Sequence, residues 1–74
     1  MGKYKIDLDT LTKAQKFQRI AESCAYDVKI TSSEGYIGNA KCLLNVMASL
    51  EWSDLFVYSD AVNCYLDFNE FIVD

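Results

Sequence analysis

Two hydrophobic rhythms alternate along this chain. Tyr4, Ile6 and Leu8 fall on one side of an alternating stretch, with Lys3, Lys5 and Asp7 on the other. That period of two predicts a half-buried strand. Asp9-Thr10-Leu11-Thr12 follows, with three residues able to cap a helix. Leu11, Ala14, Phe17, Ile20, Ala21 and Cys24 then recur at helical spacing, and Lys13, Lys16 and Arg19 lie on or beside the opposite face. The pattern predicts an amphipathic helix over about 12–24. Residues 27–32 read as a second strand with Val28 and Ile30 inward. Ser33-Glu34-Gly35 reads as a turn, and residues 36–39 as a short third strand that completes a hairpin.

The stretch 39–52 reads as a short helix that is apolar on more than one side. Val46 and Leu50 form one row at a spacing of four, and Leu43 and Met47 form a second. One row can face a core; the other needs a cover or meets water. Residues 55–58, Leu-Phe-Val-Tyr, are apolar on both faces, which suits an interior strand. Asp60 is a candidate cap for a last helix with Ala61, Tyr65, Phe68 and Ile72 on one stripe and Cys64 and Phe71 beside it.

The expected order is therefore β-α-β-β-α-β-α, as one domain over residues 1–74. The economical packing is an α+β two-layer open-faced sandwich: a four-stranded antiparallel sheet with three helices on one face.

Composition narrows the function classes. At 74 residues a single core supplies only about 3–5 kcal/mol of net stability. An apolar share of 51% argues that the chain nevertheless folds. Net charge is −4, the opposite of the basic surplus that nucleic-acid binding uses, and no attraction to anionic membranes follows from it. No stretch approaches the roughly 20 apolar residues of a membrane span, and the start lacks an apolar signal core. Gly2 is not followed by the Ser or Thr of a myristoylation motif, since Ile6 stands there. Cys24, Cys42 and Cys64 are an odd number at long spacings, neither a disulfide framework nor a zinc pattern. Reduced thiols in the cytoplasm are the expectation. Histidine is absent, which removes the commonest general base. Asp67 and Glu70 lack a third ligand and read as surface charge, so neither metal nor cofactor is expected.

Three local patterns, Phe17-Gln18-Arg19-Ile20-Ala21, Asp27-Val28-Lys29-Ile30 and Asn39-Ala40-Lys41-Cys42-Leu43-Leu44-Asn45-Val46-Met47, carry a resemblance. Together with the element order, they resemble HPr, the small phosphocarrier family of the bacterial sugar phosphotransferase system. The last pattern is similar to the family's Ala-Lys-Ser followed by two apolar residues and Val-Met. The resemblance implies a sheet in which strand one lies beside four, four beside two, and two beside three.

The family's phospho-histidine position, counted back from Phe17, falls on Thr10; its arginine position falls on Thr12 and its proline position on Lys13. A threonine hydroxyl without a base is a poor nucleophile, and its phosphate ester is a poor phosphoryl donor. The family's regulatory serine position is Cys42. A degenerate member without carrier chemistry, and not an enzyme, is therefore expected. It would act as a docking or regulatory module on a protein partner, such as a phosphotransferase-system component or a transcriptional regulator.

By the same resemblance Leu43, Leu44 and Met47 map onto the family's apolar docking patch, with Thr12, Lys13 and Lys16 beside it. Alternatively, the last helix or a second copy covers those apolar residues. Trp52 joins that patch or caps the core. Cys42 follows Lys41 at an expected helix start, a setting that favours thiolate. Two rival readings stay open: an active carrier or redox-responsive protein using Cys42, and an unrelated small α+β interaction domain.

Overall fold

The computed structural model describes residues 2–61 and 64–73; the expectations for the Cys64 and Tyr65 side chains lie outside the described residues. The order is β1 (Gly2–Ile6), α1 (Leu11–Ser23), β2 (Lys29–Ser32), β3 (Ile37–Asn39), α2 (Leu43–Ser49), β4 (Leu55–Ser59) and α3 (Cys64–Phe68), followed by a 3-10 turn, Asn69–Phe71. The four strands form one antiparallel sheet in the order β1-β4-β2-β3. This is the expected α+β open-faced sandwich and the expected strand order. The doubly apolar strand β4 is central, where pairing on both edges hides its backbone from other chains.

Alternation sorts the sheet. Leu55, Val57 and Ser59 of β4, Ile30 and Ser32 of β2, and Ile6 of β1 are buried under the helices. Ala14, Phe17 and Ala21 from α1, Val46 from α2, and Phe68 and Phe71 from the last segment fill the core above them. Phe17 is its hub: its ring lies 5.0 Å from that of Phe68 and 5.5 Å, edge-on, from that of Phe71. Aromatic pairs in such tilted arrangements add to their buried area.

Several element boundaries differ from expectation. The first helix starts one residue earlier, at Leu11, because Thr10 is its cap: the Thr10 Oγ1 accepts the Lys13 N–H at 3.1 Å. Leu11 then lies in the first turn at 49% exposure and not on the buried stripe. The second helix is only Leu43–Ser49, since Asn39 closes β3 and Cys42 is the cap position. Its end runs into a tight turn in which the N–H of Trp52 donates to the Ser49 carbonyl at 2.9 Å. Asp60 does not cap the last helix; it accepts from the Tyr58 hydroxyl at 3.3 Å, and α3 begins at Cys64. Ile72 is not helical either. It bridges to Ile6, with the Asp7 N–H donating to Phe71 and the Val73 N–H to Lys5, each at 2.9 Å. The tail thus covers the Ile6 end of the outer edge of β1.

Two glycines answer to geometry. Gly35 takes φ 95° in the β2–β3 turn, a conformation that penalises a Cβ. Gly38 lies on the core face of β3, where α2 crosses so closely that a Cβ would meet Asn45 Oδ1 at 3.1 Å and Asn45 Cβ at 3.3 Å.

Candidate functional site

The start of α2 is fixed to α1 by two side chains. Gln18 Nε2 donates to the Lys41 carbonyl at 2.7 Å, and Lys41 Nζ donates to the Cys24 carbonyl at 2.9 Å. Asn39 Oδ1 accepts the Lys41 N–H at 3.0 Å and shapes the turn that leads in. Sequence reasoning gave Gln18 and Lys41 only as parts of a motif. Their role depends on contacts 23 and 17 residues apart along the chain, which periodicity does not carry.

With that anchor, α2 buries Val46 and Ser49 and half-buries Leu50. The second apolar row stays outside: Leu43 is 38% exposed, Met47 41%, and Leu44, beside them, 77%. The last helix does not cover them. Instead it turns toward α1 and β1, where Phe68 and Phe71 meet Phe17. Trp52 is not one of these exposed residues; it is half-buried against the core and stacks on Tyr36 at 5.4 Å between centroids.

The polar candidates sit on the exposed side of α1, and two are already paired. Lys13 Nζ lies 3.1 Å from Asp9, and Lys16 Nζ lies 2.9 Å from Glu70 of the 3-10 turn. Both pairs are solvent-exposed, so each contributes about 0–1 kcal/mol and can be exchanged for a partner's carboxylate at small cost. Thr12 is exposed one turn ahead of Lys16. Thr10, at the position where the resemblance would place a phosphoryl acceptor, spends its side-chain oxygen on the cap.

Cys42 occupies the cap position of α2 but makes no side-chain capping hydrogen bond, as expected of sulfur, a weak acceptor. Asn45, through its backbone N–H and then its side chain, nevertheless favours the charged thiolate and holds the thiol below the ordinary cysteine value. Cys24 is half-buried and donates its thiol to the Ile20 carbonyl at 3.2 Å, as a packing residue does.

Elsewhere, a hollow of about 490 Å³ opens between the end of β1 and Trp52, with Asp7, Asp9 and Asp54 on its wall. Among the described residues no group of three or more His, Cys, Asp or Glu side chains could hold a metal ion. No helix among them is long and apolar enough to cross a membrane. No protein-family model matches the chain, and no curated protein matches it either.

Proposed function

We propose that this chain is a degenerate HPr-like protein that works by docking to a protein partner and carries no phosphoryl group. The observation that carries the reading is the exposure of Leu43, Leu44 and Met47 on a helix whose other side is core. Three apolar side chains left in water on one short helix, with exposed charges on the neighbouring helix, have the make-up of an interface centre and its polar rim. The occupation of Thr10 Oγ1 as a helix cap supports the loss of carrier chemistry. So does the absence of histidine. The proposed contact set is Leu43, Leu44 and Met47, with Thr12, Lys13 and Lys16 around them. The proposed partner is a component of the sugar phosphotransferase system or a transcriptional regulator, met in the cytoplasm.

The test uses the phosphotransferase enzyme that phosphorylates HPr, with labelled phosphoenolpyruvate. The expected result is no label on this chain, together with binding of that enzyme that falls at least tenfold in Leu44→Ser. Label on the chain, or binding indifferent to Leu44, overturns the reading.

A second reading has one observation in its favour. The lowered pKa of Cys42 gives it more thiolate at neutral pH than an ordinary cysteine has. If Cys42 carries a phosphoryl group, the label appears and vanishes in Cys42→Ala. Alkylation by iodoacetamide reports the thiolate directly: its rate should rise with pH through a midpoint below the ordinary cysteine value, and Cys42→Ala should remove that phase.

A further inference from the structure

The helix-free face of the sheet is built differently from the rest of the surface. Strand register places Lys3, Tyr58, Lys29 and Asn39 side by side in one row across β1, β4, β2 and β3. The next row is Lys5, Phe56, Thr31 and Ile37. All eight alternate with core residues and therefore point away from the helices. Two half-exposed rings thus lie two residues apart on the central strand, with lysines flanking them. Lys3 Nζ already sits over the Phe56 ring, 4.9 Å from its centroid.

We infer that this face is a platform for single-stranded RNA, on which Phe56 and Tyr58 stack two successive bases and Lys3, Lys5 and Lys29 meet the phosphates. The charge argument is local. The chain is acidic as a whole, yet three of its seven basic residues share these two rows. Two acids border the face: Asp54 pairs with Lys5 at 3.5 Å and is exchanged for a phosphate there, and Asp60 accepts from the Tyr58 hydroxyl while keeping its charge, which leaves Lys3 and Lys29 as the principal phosphate contacts. Residues two apart on a strand are separated by roughly 6.8 Å. That is about twice the stacked base rise, so each ring can take one splayed base. A hollow of about 310 Å³ beside the Tyr58 ring, lined by Lys3, Thr31, Tyr36, Ile37 and Tyr58 among others, has room for one nucleotide unit.

Ribose is favoured over deoxyribose by the polar groups. Thr31 Oγ1 is buried and has no hydrogen-bond partner among the described residues. Thr31 lines that hollow, where a 2′-hydroxyl can both donate and accept. Asn39 spends its carbonyl oxygen on the Lys41 N–H, which leaves its amide nitrogen as a further donor. An acidic peptide would use the lysines but leave the two rings and the Thr31 hydroxyl without a role.

The experiment is a titration of the full chain with a short oligouridylate, followed by backbone amide shifts, with oligothymidylate and polyglutamate of equal length in parallel arms. Shifts should concentrate in β1, β4 and β2 and leave α2 untouched, which separates this platform from the proposed docking surface. The logarithm of affinity should fall with the logarithm of salt at a slope of about −2, the value for three phosphates on a single strand. Lys3→Gln with Lys29→Gln should flatten that slope to about −0.7, the value for one remaining phosphate. Tyr58→Leu, which keeps an apolar side chain without the ring, should weaken binding about tenfold. Equal affinity for polyglutamate, or no affinity for RNA at low salt, overturns the platform. Equal affinity for the deoxy strand overturns its assignment to RNA. Should Tyr58→Leu fail to fold, the lysine pair alone decides.

Discussion

The helices α1 and α2 pack against one another over the same sheet, but they are made to different standards. Helix α1 has thirteen residues, a threonine cap that accepts a hydrogen bond, and a stripe of Ala14, Phe17 and Ala21 sealed in the core. Helix α2 has seven residues, a cysteine where the cap should be, and more large apolar groups outside than inside. A helix of that length is not stable by propensity and persists only because its neighbours hold it. Here Val46 and the Gln18–Lys41 anchor do so. The difference teaches that the buried stripe of α1 serves the fold, whereas the outer apolar row of α2 contributes little to it and is the surface that the proposed docking would use.

That contrast can be broken from the α1 side first. Phe17→Ala removes the hub of the aromatic cluster and should cost about 3–5 kcal/mol, as much as a domain of this size has. Urea or thermal unfolding followed by circular dichroism should find the variant unfolded or barely folded at room temperature. Thr10→Ala deletes only the cap and should cost about 1 kcal/mol, seen as a lower midpoint with unchanged urea dependence. The corresponding change in α2 should run in the opposite direction. Cys42→Ser supplies a hydroxyl where the thiol makes no capping bond, and should raise stability by up to about 1 kcal/mol.

A pH series probes the last helix that α1 holds in place. Tyr26 donates its hydroxyl to Asp67 of α3 at 2.6 Å. Burial first, then the Asp67 hydrogen bond and neighbouring Cys24, push its phenol well above the ordinary value. In the unfolded chain that phenol loses its proton near pH 10, while the folded chain retains it. Its contribution is therefore complete below about pH 10 and declines as pH rises further. Unfolding midpoints between neutral and strongly alkaline pH should drop less steeply in Tyr26→Phe. The smallest effect on folding belongs to Leu44→Ser, which should stay within about 0.5 kcal/mol because the side chain is 77% exposed. A large loss there would show that α2 needs its outer leucine for the fold and would erase the contrast between the helices.

The elements that periodicity handles well were legible in the chain. Alternation around Ile6 and the helical stripe through Phe17 gave β1 and α1, and the doubly apolar stretch at Val57 gave the central strand. The exposed second row of α2 was legible as a surplus of apolar positions, although its being uncovered depends on where the last segment goes. Local pattern failed where tertiary contacts decide. The stripe through Ile72 looks helical, but the backbone there gains more from pairing with β1 than from another turn of helix. Leu11 fits the apolar period yet falls outside, because the cap at Thr10 sets the first turn at the surface. The two rows on the open sheet face were the least legible. They exist only through register between strands that are distant in sequence, and the whole-chain charge conceals them.

The bridge between Ile72 and Ile6 has an implication for handling the protein. Those last backbone pairings stopper the Ile6 end of one margin of the sheet, and a truncation just before Phe71 would pull the stopper. The newly bared end of β1 would then offer its amides and carbonyls to the same strand of another molecule, an invitation to edge-to-edge aggregation.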